Sequence, residues 1–261
     1  LNIRPNEQEV FRKNSFIYAY TVFMFFGLLL ILCGISFIIN SHLDTWQAIL
    51  AFTGAIAYAI LNRNITVVVY FLSVSIIAII LCGITFDTSY DSIHYHKITV
   101  ELLSNNWNPI YDPTPNTNLW VLHYARAQEL MAASLTSAGL TLEMSKSINL
   151  IFFSGVYAIL YCTISSLFIG LNRKNAPIIT TAFMLNPVVI AQLFTFYNDA
   201  YLYLETIAMI SLAMLLFRYD NMKLWLALFF LTILSVNTKF THFFFAGLFW
   251  LFFYIGTIAY K

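Results

Sequence analysis

The sequence predicts an all-α polytopic membrane protein, with about eight transmembrane helices and one long external loop that carries short amphipathic helices. Three observations lead there. Charged residues make up 10% of the 261, against the roughly 25% needed to coat a water-soluble domain. Hydrophobic residues reach 60% and the mean hydropathy is +0.77. Apolar runs recur at about the 20 residues that a helix needs to cross a bilayer.

Residues 16–39, 65–86, 148–171, 200–217 and 240–260 are full-length runs, and 46–61, 176–196 and 224–236 are shorter or interrupted, the second of these by Asn186-Pro187. The first run exceeds the roughly 7–15 apolar residues of a signal-peptide core and has no small-residue cleavage site after it, so it is expected to stay in the membrane. Basic residues are retained on the cytoplasmic side. With the N-terminus inside, Arg4, Arg12, Lys13, Arg63, Arg173, Lys174, Arg218, Lys223 and Lys261 fall inside, and Lys97, Arg126, Lys146 and Lys239 outside. The same count sends most carboxylates and all histidines to the outer face.

The net charge of +1 and the absence of a basic run speak against a nucleic-acid partner. Cys33, Cys82 and Cys162 lie in apolar runs without metal or disulfide spacing and read as small core residues.

The longest connection, 87–147, contains Trp107, Trp120, Tyr90, Tyr95, Tyr111, Tyr124 and three histidines, which is not the composition of a linker. Its halves, about 89–105 and 118–138, suit helices lying on the membrane surface or over the bundle. Should the helix of the third span continue past Phe86, Asp87, Asp91 and His94 share one face at i, i+4 and i+7. Such a pair of carboxylates beside an imidazole suits acid–base work or a divalent metal, and it also suits an N-cap with a solvated face.

A second acidic point is Tyr197-Asn198-Asp199, followed by Glu205 inside an otherwise apolar helix. An ionisable side chain in a span costs on the order of 3 kcal/mol and faces a cavity or a partner. Glu205 thus reads equally as a ligand contact or as a paired group joining helices, and Asp199 equally as an N-cap. A third point, Asn237-Thr238-Lys239-Phe240-Thr241-His242, marks a hairpin. Lys239 and Arg126 are candidates for holding a phosphate by charge-assisted hydrogen bonds, against lysine snorkelling to the interface. Trp107, Tyr111 and Trp120 suit stacking on sugar faces, or an interfacial aromatic belt.

The run Asp91-Ser-Ile-His-Tyr95-His96, then Leu103 and Trp107-Asn108-Pro109-Ile110-Tyr111, resembles the first external loop of bacterial C-type (GT-C) glycosyltransferases. Trp120-Val-Leu-His123-Tyr124, Lys146-Ser-Ile-Asn149, Asn186-Pro187, Tyr197-Asn198-Asp199 and Asn237-Thr-Lys239-Phe240-Thr241 extend the likeness over about residues 85–260. The resemblance implies an inverting transfer of sugar from a polyprenyl-phosphate-linked donor to a glycan, lipid or protein acceptor, in cell-envelope glycan synthesis on the outer face of a bacterial cytoplasmic membrane. Asp91 matches the acidic residue that serves there as base or metal-site carboxylate, and Asp199 resembles the second acidic site. A divalent metal (Mg or Mn) on Asp91 and Asp199 is a further expectation. Asp87 and His94 join the catalytic candidates; Tyr95, His96, Trp107, Tyr111 and Glu205 are candidates for sugar or acceptor.

Three spans precede the acidic loop here, whereas many members of that superfamily place it after their first. Members usually have more spans and often a soluble C-terminal domain, so a single module trimmed of such parts, or a minimal form, is expected. The rival reading is a transporter or flippase, which would pair Glu205 with Lys239 at depth.

Overall fold

The computed structural model describes residues 5–113, 118–123, 125–167, 175–219 and 221–260, with side chains described over 13–113, 118–121, 125–167, 175–219 and 221–258. Among the described residues 81% are helical and none lies in a strand. Among the described residues five helices hold an apolar stretch long enough to cross a membrane: α1 (Pro5–Ile38), α3 (Ile65–Gly83), α8 (Ser147–Leu167), α11 (Asp199–Arg218) and α13 (Phe240–Tyr260). Two shorter apolar helices, α2 (Thr45–Leu61) and α12 (Met222–Thr238), have 17 residues each. The interrupted run at 176–196 is two pieces, α9 (Asn175–Met184) and α10 (Pro187–Gln192). The break follows from Pro187, which lacks an N–H and sits at the first position of α10, where Asn186 caps the helix by accepting from the Val188 amide.

Helix α1 is the central column, in contact with α2, α3, α6 (Ala127–Ser137), α8 and α12. Ala19, Val22, Phe23, Phe26, Leu29 and Cys33 are fully buried along it, a spacing of three to four that keeps one face on the partners. Helices approach closely where a side chain is missing: a Cβ on Gly155 of α8 would stand 2.6 Å from Val22 Cγ1, and one on Gly27 of α1 would stand 2.4 Å from Phe230 Cδ1. Small residues serve this purpose in membrane bundles, where van der Waals packing holds helices together. The seam of α2 is likewise Ala48, Ala51, Ala55 and Ala59. All three cysteines are buried, and no two of them are joined in a disulfide.

Hydrogen bonds define two ends of the bundle. At one end Asn108 donates to Phe37 O (3.1 Å), and Thr45 at the start of α2 donates to Ser137 O (3.2 Å). At the other, Asn64 at the start of α3 donates to Asn14 (2.7 Å), and Lys223 at the start of α12 donates to Asn62 (2.8 Å). Helices α2 and α12 therefore run the length of the bundle despite having 17 residues each, roughly 25 Å at 1.5 Å per residue.

Segment 87–147 folds onto the first of these ends. It holds a five-residue π-helix, Ser92–His96, that leads into α4 (Lys97–Ser104), then α5 (Leu119–His123), α6 and α7 (Leu142–Ser145). The second predicted helix, 118–138, is thus two helices with a break at Arg126. Seven of the eleven residues of α6 are buried, so it plugs the bundle rather than resting on its surface. Tyr124, Arg4, Arg173, Lys174 and Lys261 lie outside the described residues, as do the side chains of Arg12 and His123.

Candidate functional site

Helix α3 stops at Gly83 rather than continuing past Phe86, so the expected common face of Asp87, Asp91 and His94 does not form. Thr85 helps to end it by returning its hydroxyl to Leu81 O and Cys82 O (3.1 Å each), while Lys146 Nζ holds Thr85 O at 2.8 Å. Asp87 follows in irregular chain and turns inward, 3% exposed.

The Asp87 carboxylate is fully used. Oδ1 accepts from the Ser89 amide (3.0 Å) and hydroxyl (2.6 Å). Oδ2 accepts from the Ser92 hydroxyl and, across 109 residues, from the Phe196 amide at 2.7 Å. Burial opposes its ionisation, but the bonds from the Ser89 and Ser92 hydroxyls and the Ser89 and Phe196 amides outweigh that and hold it below its ordinary 3.8. A carboxylate with four donors is poorly suited to take a proton; Asp87 clamps the start of the π-helix to the loop before α11. Asp87→Asn is expected to destabilise the protein by on the order of 3 kcal/mol, through donors left unmade around a buried charged acceptor. Thermal unfolding in detergent checks it. Because the folded value is depressed, this stabilisation is complete above about pH 3.8 and is lost as pH falls through the lower folded value.

A second clamp lies beside it. Glu143 binds Lys97 through one oxygen and Lys146 through the other, and accepts from the Asp87 amide at 3.2 Å. Lys97 also donates to Asp87 O at 2.6 Å. The i, i+3 pair Glu143/Lys146 is a spacing that sequence reveals; the partnership with Lys97 is not.

Asp91 and His94 point the other way. Asp91 is half-buried and its carboxylate has no hydrogen bond among the described residues, and His94 is exposed with its ring edge-on to Tyr90 at 3.9 Å. A π-turn shifts the register of the side chains after it. Here it carries Ser92 and His96 inward and leaves Asp91, Ile93 and His94 outward. Tyr95 is half-buried, with its ring 6.1 Å from that of Trp120, which is 59% exposed. Tyr95 and Trp120 thus form a partly exposed aromatic pair.

Other expected sugar contacts are engaged in structure. Trp107 is 6% exposed, and the Arg126 guanidinium lies 4.7 Å from its ring centroid. Burial lowers the pKa of Arg126, with Glu129 opposing; its charge remains. The run Asn108–Tyr111 finishes α1: Asn108 donates to Phe37 O and the Tyr111 hydroxyl to Ile38 O (2.9 Å), satisfying carbonyls that a helix end leaves open. His96 is fully buried, with Nδ1 on Glu129 Oε1. Glu129 went unsuspected because 33 residues separate it from His96.

Loop 193–198 and the α12–α13 turn complete the site. The His96 and Tyr197 rings are 6.3 Å apart. Asn149 donates to Thr195 O at 2.7 Å, and Asn198 to Thr238 O at 3.3 Å. Lys239, the single extended residue between α12 and α13, donates to Asp199 Oδ1 at 2.8 Å. The structure therefore brings Asp199 and Lys239 together with both partly exposed, 49% and 33% by side chain. Through Phe196, whose amide lies 3.3 Å from the Ser92 hydroxyl, it ties them to the turn next to Asp91.

Beneath that pair Glu205 is fully buried, accepting from the Thr238 hydroxyl at 2.7 Å with its other oxygen 3.7 Å from His242 Nδ1. Glu205 faces protein and not Lys239. A cavity of ≈ 310 Å³ runs from His242 and Ser235 between α11 and α13, past Met209, Ile210 and Phe249. Helix α13 is peripheral: 11% of its most apolar window is buried, so this cavity borders the side that would meet lipid.

Among the described residues no three His, Cys, Asp or Glu side chains gather to hold a metal. The carboxylate of Asp199 is paired with Lys239. Neither a family model, nor a curated protein, nor a solved structure matches this chain.

Proposed function

We propose that this chain is a membrane-embedded glycosyltransferase module of the C type, moving a sugar from a polyprenyl-phosphate-linked donor to an acceptor hydroxyl. The observation that carries the reading is the half-exposed Asp199–Lys239 pair, set above an apolar cavity and preceded by a loop that Asp87 clamps to the start of the π-helix. A lipid-linked sugar has three parts, and each has a counterpart here. The hydrocarbon suits the cavity between α11 and α13, the phosphate suits the Lys239 ammonium, and the sugar suits the Tyr95–Trp120 surface.

Chemically, the phosphate leaves as an anion that Lys239 neutralises, while Asp91 takes the proton of the attacking hydroxyl, giving a single inverting displacement at the anomeric carbon. Asp87 and Glu143 act by positioning. Eight passes, the five long helices with α2, α12 and the α9–α10 pair, place the site on the outer face if the N-terminus is cytoplasmic, in keeping with the distribution of Lys and Arg. The transporter reading needs Glu205 and Lys239 as a pair. Their partners are instead Thr238 and Asp199.

The test is direct. The purified protein, incubated with a panel of polyprenyl-phosphate sugars and short glycan or lipid acceptors, with and without chelator, is expected to consume at least one donor and release polyprenyl phosphate. Consumption of none, together with donor-dependent uptake into proteoliposomes, would replace this reading with the transporter.

A further inference from the structure

At the end of the bundle opposite Asp91 a second cavity, of ≈ 380 Å³, opens between α1, α3, α8 and the start of α9. Its volume falls in the roughly 300–1,000 Å³ range of small-molecule sites. Its lining differs from the aliphatic seams of the bundle, with Asn14, Tyr18, Tyr70, Ser154, Tyr157 and Tyr161 around an apolar floor. Tyr18 and Ser154 share a hydrogen bond at 2.6 Å, and Tyr70 is 57% exposed at the mouth. Tyrosines in such a ring present apolar faces and wet hydroxyls, the pattern of side chains at a membrane–water boundary.

The rim is cationic. Lys13 precedes Asn14, and Arg63 precedes Asn64, which holds Asn14 at 2.7 Å; both cations are exposed. Lys223 is drawn to the same α2–α3 turn through Asn62 at 2.8 Å. The described carboxylates, from Asp44 to Glu205, belong to the other half of the bundle, as does every ion pair among the described residues. At the Asp91 end, then, lysines are matched by carboxylates, whereas at this end positive charge surrounds an apolar cleft without a described counter-charge.

We propose that this tyrosine-lined cleft is a binding site for an anionic phospholipid, its acyl chain between α1, α3 and α8 and its headgroup phosphate against Lys13 and Arg63. Charge complementarity selects the occupant: a zwitterionic lipid would bring its own cation to the rim, and an uncharged one would leave the cations unmatched. The site is distinct from the Asp199–Lys239 pocket and does not depend on its assignment.

Native mass spectrometry of the full chain, released from mixed micelles of phosphatidylglycerol and phosphatidylcholine with matched acyl chains, tests it. Two cations near a charged headgroup are worth roughly a 30-fold preference for phosphatidylglycerol. That preference is expected for the wild type and is expected to fall to near parity in Lys13→Ala/Arg63→Ala, whose positions are exposed and leave the fold intact. Thr66→Trp, an exposed position on the cavity wall, is expected to abolish retention by filling the cleft with the cations still present. Parity in the wild type, a preference untouched by the double substitution, or retention unaffected by Thr66→Trp would each overturn the proposal. Displacement of phosphatidylglycerol by added polyprenyl phosphate at equal concentration would also overturn it, by making the cleft a carrier site.

Discussion

Asp91→Asn is expected to lower turnover of a lipid-linked sugar by about 10²- to 10⁴-fold, the usual contribution of a positioned general base. Donor binding and the unfolding temperature should stay at wild-type values. The expectation rests on contrast with its neighbour. Asp87 accepts four hydrogen bonds and is buried, whereas Asp91, four residues on, is half-buried and takes none from the described residues. The amide keeps the shape of the carboxylate and removes the ability to accept a proton. An effect on kcat with KM unchanged marks an interaction made only in the transition state. Asp87→Asn should do the opposite, lowering stability first and activity only in proportion to the folded fraction. Wild-type turnover from Asp91→Asn would remove it from the chemistry. An inactive but fully stable Asp87→Asn would transfer the role to Asp87.

That contrast also marks where sequence reasoning stops. Five long helices were legible because a span must be a long apolar run, and the α9–α10 break because proline cannot donate. The pairing of Asp199 with Lys239 spans 40 residues. The face shared by Asp87, Asp91 and His94 was misread because helical periodicity assumes a continuous helix. What ends α3 at Gly83 includes Lys146, 61 residues beyond Thr85, and Asp87 is turned inward by Phe196, 109 residues away. The buried His96–Glu129 contact was illegible for the same reason. A π-turn, which moves Asp91 and His96 to different sides, has no periodicity signal over five residues.

Lys239→Met is expected to cost about 10²- to 10³-fold in kcat/KM, comparable to removing one preorganised donor from a developing anion. The rival account is that Lys239 serves only to neutralise Asp199, and single substitutions cannot separate the two, since Lys239→Met also leaves a carboxylate facing the donor phosphate. A double-mutant cycle does. If the lysine exists for the aspartate, Asp199→Asn/Lys239→Met removes the repulsion and recovers activity toward that of Asp199→Asn alone. If the lysine holds the phosphate, the double variant stays near Lys239→Met, because neither side chain then offers a cation. Lys239→Arg adds a further discrimination: it keeps the charge, so a phosphate contact should be partly restored, mainly in KM. Glu205 provides the control for distance. It is fully buried on Thr238 and next to His242, so Glu205→Gln should lower stability with kcat nearly preserved. A loss of kcat there equal to that of Lys239→Met would place the reacting groups deeper in the bundle than the Asp199–Lys239 rim.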